Sequence, residues 1–269
     1  MKPIIKWAGG KTQLLDEIFK KVPNKYNRYY EPFFGGGAVF FKLNPPRASI
    51  NDCNIKLMNM YEVIKREPKE LISILDIHQN KHKEEYFYKI RDKFNENILN
   101  NEYSVEDAAD FIYLNKMCYN GLYRVNSDGK FNVPSSRKEK CVLYDKKNIY
   151  EVSNALSKVT IRSVDFEKAC YRARKGDFVF FDSPYYDTFD SYQKNGFSED
   201  DHKRLAKLFK KLSDKGVFCM LTNSDTEFIR ELYSEYEIKL VEVKRMINCD
   251  GKKRTGTELI ITNYEVENE

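Results

Sequence analysis

No stretch of this 269-residue chain approaches the roughly 20 consecutive apolar residues that span a bilayer. The opening Met1-Lys2-Pro3-Ile4-Ile5-Lys6-Trp7 also lacks the long apolar run of a signal peptide, so a soluble, cytosolic protein is expected. Six cysteines (Cys53, Cys118, Cys141, Cys170, Cys219 and Cys249) are scattered without a C-x-x-C pair. That spacing argues against a zinc cluster and against a disulfide framework, and leaves reduced thiols as core filler. There is no internal repeat and no low-complexity tract. Two phosphate-loop signatures are missing as well. Gly35-Gly36-Gly37 is not G-x-G-x-x-G, and Gly10-Lys11-Thr12 has Ile5 where a Walker A loop needs glycine. Excess charge is small: the net value is +5, which alone identifies no partner.

Hydrophobic residues make up 41% of the chain and charged residues 32%, enough apolar material for a core and too much for a disordered chain. The length suits one large domain or two modest ones. Short β-branched or aromatic runs end in polar or turn residues at 28–32, 48–52, 159–162, 178–182, 217–222, 238–243 and 259–263. Such runs suit strands buried on both faces. Helical patterns over 12–21, 38–43, 55–65, 200–212 and 226–233 alternate with many of them, which indicates an α/β sheet. Between about 54 and 158 the alternation stops. That stretch reads as helices over 68–79, 83–100, 104–116 and 147–156, plus a turn-rich segment over 120–137 with a hairpin turn around Asp128-Gly129. An α/β core, residues 1–54 and 158–269, is therefore expected to be split by a mostly helical insertion, residues 55–157. Charge is concentrated inside that insertion. From Lys116 to Lys147 there are eight Lys or Arg against three acids, interleaved with Tyr119, Tyr123 and Phe131. Basic and aromatic side chains together suit phosphates and base faces, although charge alone also fits a solvated loop.

Four clusters carry chemistry. Glu31-Pro32-Phe33-Phe34-Gly35-Gly36-Gly37 follows an apolar strand and opens a helix, so its glycines let the backbone turn tightly beside a ligand, or merely pack. Asn51-Asp52 ends the next strand; its acid can accept from ribose hydroxyls, or cap the helix that begins near Asn54. In Phe178-Val179-Phe180-Phe181-Asp182-Ser183-Pro184-Tyr185 an apolar strand stops abruptly at a carboxylate with an aromatic ring beside it. At the carboxyl end of a strand in an open sheet, that pair suits a flat ring bearing an amine. The single tryptophan, Trp7, sits in Lys6-Trp7-Ala8-Gly9-Gly10-Lys11, between two lysines and next to a Gly-Gly turn.

Taken together and in this order, these residues resemble the DNA adenine-N6 methyltransferase (Dam) family over nearly the whole chain. The resemblance also takes in Tyr119-Asn120-Gly121-Leu122-Tyr123-Arg124-Val125-Asn126 and Gly129-Lys130-Phe131-Asn132-Val133-Pro134, which look like the family's target-recognition segment. It further takes in Asp165-Phe166, which looks like a pair that contacts the adenine of the methyl donor. It implies a Rossmann-like methyltransferase sheet with a mostly helical DNA-recognition insertion carrying a β-hairpin. The implied donor is S-adenosylmethionine (SAM), held by Trp7, Ala8, Gly9, Gly10, Lys11, Phe33, Gly35, Gly36, Gly37, Asp52, Asp165, Phe166 and Asp182. Catalysis would rest on Asp182, Ser183, Pro184 and Tyr185, which look like the family's Asp-Pro-Pro-Tyr with Ser183 in place of a proline.

The resemblance implies that adenine N6 is methylated in duplex DNA, within 5′-GATC-3′, after the base is flipped out of the stack. No metal is needed, because the sulfonium already activates the methyl group. The amine would be held by the Asp182 side chain and the Ser183 backbone carbonyl, with Tyr185 stacked on the ring. DNA contacts would come from Lys6, Tyr119, Asn120, Leu122, Arg124, Asn126, Pro134 and Arg137. Arg124 is the base reader, because its fork matches guanine O6 and N7. A monomer is expected, one flipped base filling one site. Two alternatives stay open at this point: an N4-cytosine methyltransferase, and a sequence-specific DNA-binding protein whose catalysis is weakened by Ser183.

Overall fold

The computed structural model of the chain describes residues 1–7, 9, 14–100, 103–186, 196–244 and 255–266. Its centre is a seven-stranded sheet in the order β3-β2-β1-β4-β5-β7-β6. β1 (Tyr29–Glu31), β2 (Ala48–Asn51), β3 (Val159–Arg162), β4 (Phe178–Phe181) and β5 (Phe218–Ser224) run parallel. β7 (Thr255–Thr262) lies antiparallel between β5 and β6 (Glu237–Lys244). All seven expected strands are present. β1, β2 and β4 are buried along their whole length, and β4 accordingly reads as an unbroken apolar run rather than as an alternating pattern.

Each face of the sheet buries its own cluster. Tyr29, Phe178, Phe180, Met220 and Ile260 pack into one, together with residues from the helices between β2 and β3. Tyr30, Val179, Phe181, Cys219 and Leu221 point the other way, onto Leu205, Phe209 and Leu212 of α9 (Glu199–Asp214). Alternate residues of one strand thus serve opposite layers. α9 starts where a capping box forms between Ser198 and Asp201, and its period-3.6 apolar stripe is what it lays on the sheet.

The remaining helices are α1 (Leu15–Phe19), α2 (Ala38–Leu43), α3 (Ile55–Arg66), α4 (Pro68–Lys81), α5 (Glu84–Leu99), α6 (Val105–Met117), α7 (Lys146–Leu156), α8 (Phe166–Ala169) and α10 (Glu227–Leu232). α3 packs on α6 and α7, and α6 also packs on α4 and α5, while α3 and α7 both reach β3. α6 is nearly all buried, and its two aspartates are paired. Asp107 accepts from Lys56 at 2.8 Å, and Asp110 lies 3.1 Å from His78 and 3.0 Å from Lys93. Among the described residues no helix is long and apolar enough to cross a membrane.

Three local features differ from the sequence-based expectation. The first helix ends at Phe19 rather than at residue 21, and residues 12 and 13 of its expected range lie outside the described residues. The short α8 is not among the expected helices; four residues carry too little periodicity to show. The expected hairpin is reduced to two isolated antiparallel bridges, Cys118 with Ser135 and Val125 with Phe131, and no strand longer than a single bridge forms there among the described residues. Backbone bonds close the turn, Asn126 N–H to the Lys130 carbonyl at 2.9 Å and Asn132 N–H to the Arg124 carbonyl at 3.2 Å, and Asn126 Oδ1 reinforces it by accepting from the backbone N–H of both Asp128 and Lys130 at 3.0 Å.

Candidate active site

Parallel pairing brings the carboxyl ends of β1, β2, β3 and β4 to one edge of the sheet. Asp52, Asp165 and Asp182 follow three of those ends, and the glycine-rich turn follows the fourth. Asp52 is bound to that turn: Oδ2 accepts from Gly35 N–H at 2.9 Å and Oδ1 from Asn54 N–H at 2.9 Å. Burial pushes its carboxyl above the usual range, and the two N–H groups pull it back only in part. The helix-cap reading of Asp52 gives way, because Asn54 caps α3 through a bond from Leu57 N–H at 3.1 Å.

Trp7 forms the near wall of the glycine turn. A Cβ on Gly35 would stand 2.7 Å from the indole Cδ1, and one on Gly36 3.3 Å from Trp7 Cβ, so both positions need the missing side chain. The indole also stacks on Tyr123 at 5.5 Å, which joins the N-terminal motif to the recognition segment. Asn115 reinforces that junction from α6. It accepts from Lys6 N–H at 3.0 Å and donates to the carbonyls of Lys6 and Gly121 at 2.9 and 3.1 Å. Of the other expected members of this motif, Gly9 takes a positive φ of 77°, and Ala8, Gly10 and Lys11 lie outside the described residues.

Asp165 caps α8, accepting from Glu167 N–H at 2.9 Å, and its other oxygen accepts from Arg204 at 3.0 Å. Phe166 lies 5.4 Å from Phe33 and 5.8 Å from Phe197, and the Arg204 guanidinium covers it at 4.8 Å. The result is an apolar wall edged by carboxylates.

At the end of β4, Asp182 accepts from the Thr222 hydroxyl at 2.9 Å. Ser183 is 2% exposed, and its hydroxyl accepts from Asn223 Nδ2 at 3.3 Å. Asn223 Oδ1 in turn accepts from Tyr186 N–H at 3.0 Å and Ser224 N–H at 2.9 Å. The loop over 182–186 is therefore pinned by side chains from the polar end of β5, which supplies an order that the absent proline would otherwise supply through a fixed φ. Pro184 is half-buried beside it. Tyr185 donates to Glu258 of β7 at 2.6 Å, and burial holds its phenol well above the ordinary value. Beneath Asp182, Glu31 is 3% exposed and accepts from Tyr29 at 2.8 Å. Burial, and then the charge of Asp182, push the Glu31 carboxyl well above its usual range. Ser183→Ala leaves the buried Asn223 amide without its acceptor. It should destabilise the protein by about 1–2 kcal/mol in urea unfolding, and unchanged stability would remove this account of the serine.

Of the residues expected to contact DNA, all but Lys6 lie on one segment after α6. Tyr119 is 57% exposed, so it does not pack under the turn, and Asn120 and Pro134 are exposed as well. Leu122 and Arg124 are half-buried. Arg124 Nε donates to Asn132 at 2.8 Å, which fixes the plane of the fork and leaves its two Nη groups without a partner among the described residues. Arg137 has a φ of 54° and pairs with Glu84 at 3.3 Å. Glu31, Asn115, Arg204, Thr222 and Asn223 contribute to the site although sequence reasoning does not single them out. The sequence signal for the last two is the polar Thr-Asn-Ser that ends β5, the same kind of abrupt stop that marks Asp182.

A glycine-rich turn and three carboxylates at the carboxyl edge of a parallel sheet define a nucleoside-binding α/β enzyme class. Comparison with known proteins narrows it. The family model for D12 class N6 adenine-specific DNA methyltransferases matches residues 7–247, and the chain belongs to that family. It is 42% identical over 272 residues to Type II methyltransferase M1.LlaDCHI of Lactococcus lactis subsp. cremoris, covering 98% of this chain and 96% of that protein. It is 42% identical over 289 residues to Type II methyltransferase M.MjaIII of Methanocaldococcus jannaschii, covering 98% and 99%. A DNA adenine methylase of Haemophilus influenzae is 33% identical over 272 residues, covering 98% and 93%. The reaction is methyl transfer to adenine N6 of DNA, and the methyl donor of these enzymes is SAM. The residues present fit that donor: a desolvated carboxylate at Asp52 for hydroxyls, a phenylalanine wall for a purine, and a glycine turn whose bare backbone lies against Trp7.

Proposed function

We propose that this enzyme methylates adenine N6 within 5′-GATC-3′ of duplex DNA, and that the target base turns out of the helix to reach Asp182. The observation that carries this reading is the Asp182–Ser183 pair at the end of β4, oriented by Thr222 and Asn223 and flanked by Tyr185. When bound, SAM supplies a methyl group made electrophilic by its sulfonium. The protein's task is the amine, whose lone pair is delocalised into the ring. Asp182 and the Ser183 carbonyl accept its two N–H groups, which favours a pyramidal nitrogen whose lone pair is withdrawn from the ring π system and free to attack. Asp182 also offsets the positive charge that develops on nitrogen before the proton leaves. Those acceptors cannot reach N6 inside a paired duplex, so extrusion of the base is part of the reading, at about a few kcal/mol of unstacking.

Asp52 holds the donor's ribose, Asp165 its adenine amine, and Trp7, Phe33 and Phe166 line the site. Residues 55–157 recognise the target. The exposed Tyr119 enters the stack near the flipped base, and Lys6, Asn120 and Arg137 hold phosphates. Leu122 and Pro134 meet base edges. Asn126 contributes mainly by shaping the turn, because its Oδ1 is already engaged there. One monomer acts on one base. GATC is supported by the likeness of residues 119–126 and 129–134 to the members of the family that read it.

Radiolabelled SAM and hairpin duplexes test the proposal. Label should enter adenine of a GATC hairpin and be nearly absent from hairpins altered at one base pair. Equal labelling of every adenine-containing hairpin discards the sequence, and labelled cytosine discards the adenine reading. On the same hairpins Arg124→Ala should lose about 1–3 kcal/mol of discrimination at a single base pair. A uniform loss across all hairpins would instead make Arg124 a phosphate contact.

A further inference from the structure

The parallel strands have a second edge. At the amino ends of β1, β2 and β4, opposite to Asp52 and Asp182, a cavity of about 330 Å³ is lined by Arg28, Tyr30, Arg47, Arg172, Arg174 and Asp177, among others. Four arginines and one carboxylate line it, and the Arg172 guanidinium lies 5.2 Å from the neighbouring Tyr171 ring. That carboxylate, Asp177, accepts from the backbone N–H of Arg174 at 3.0 Å, and its single charge is set against four arginines. Among the described residues none of the four arginines forms an ion pair. Arg28 is anchored in the wall, donating through Nη2 to the Ala48 carbonyl at 3.0 Å and to Thr160 at 2.8 Å, with its guanidinium 5.6 Å from the Tyr30 ring. Its Nε is shut off from solvent and has no acceptor. Like charges around one concavity repel, and a single carboxylate offsets only one of the four, so the arrangement suits an anion.

We propose that this cavity binds a phosphate group. Phosphate offers several acceptor oxygens at once, and the arginine fork matches two of them in parallel. The volume sits at the lower end of small-ligand sites, enough for a free phosphorylated compound. The other source of the same chemistry is the backbone of a second DNA segment. The segment being methylated is not that source, because it engages the opposite edge of the sheet.

Arg47 and Arg172 are exposed and stand apart from the methyl-transfer site, so Arg47→Gln/Arg172→Gln tests the cavity without touching catalysis. The full-length protein, with S-adenosylhomocysteine filling the donor site, is titrated calorimetrically with pyrophosphate and separately with a duplex that lacks GATC. Pyrophosphate should bind the wild type saturably and the double variant about ten-fold more weakly, while both proteins methylate DNA at the same rate. Should the duplex alone show that loss, the phosphate comes from DNA. Equal binding of each probe by the two proteins, or no saturable binding of either, overturns the proposal.

Discussion

Replacing Asp182 with Ala is expected to lower methyl transfer to duplex DNA by about 10²–10³-fold, with SAM binding retained. The loss should fall on kcat and on kcat/KM alike, because the interaction removed strengthens as charge develops on the amine. The geometry explains why a single group carries so much. Thr222 donates to Asp182 at 2.9 Å, so the carboxylate is fixed before substrate arrives. Burial and that same charge push the carboxyl of Glu31 below it well up, which disfavours a second negative charge beside Asp182. Asp182→Asn is the sharper variant. It keeps the shape and can keep the Thr222 bond, but it turns N–H donors toward an amine that has only donors to offer in the plane of the ring. Asn should therefore fail as badly as Ala. Asn turnover close to wild type, measured under single-turnover conditions with labelled SAM, would show that Asp182 only positions the loop.

Much of this site is legible in the amino-acid sequence, and for a physical reason. Strands buried on both faces appear as short apolar runs, and in a parallel sheet the residue that ends such a run stands at the ligand-binding edge. Asp52 and Asp182 stand out for that reason, as does the interruption of the alternation by helices between β2 and β3. What stays hidden depends on contacts between distant parts of the chain. Asn115 holds Lys6 across 109 residues, and nothing in the local pattern around either one signals the pairing. Arg204 reaches Asp165 from α9 in the same way. The reversed β7 is equally opaque, because an apolar run carries no sign of its direction. The four arginines of the opposite edge come from three separate loops, so no charge run in the sequence marks them.

Asn51 makes the strongest case for such hidden contributors. It is 2% exposed and stands at the end of β2, beside the carboxylate that the sequence makes conspicuous. Its Nδ2 donates to the carbonyls of Pro32 and Val164, each at 3.0 Å, and its Oδ1 accepts from Val164 N–H at 2.9 Å. One amide thereby ties the loop after β1 to the loop after β3 across the strand between them. Phe33 directly follows Pro32, and Asp165 directly follows Val164, so the two walls of the donor site hang from this side chain. Asn51→Leu keeps the volume but leaves two carbonyls and one N–H unpaired, and should cost about 3 kcal/mol in denaturant unfolding. The folded fraction should also bind SAM at least about ten-fold more weakly, because the walls lose their common anchor and must be ordered by the ligand itself. Asn51→Asp is expected to be no better: it keeps the acceptor for Val164 N–H but sets a carboxylate against two carbonyl oxygens. Calorimetric titration of each variant with SAM, at a temperature where it is still folded, decides the matter. Wild-type affinity in folded Asn51→Leu would mean that Phe33 and Asp165 are held by their own loops, through the aromatic contact with Phe166 and the Arg204 pair, and that the amide serves stability alone.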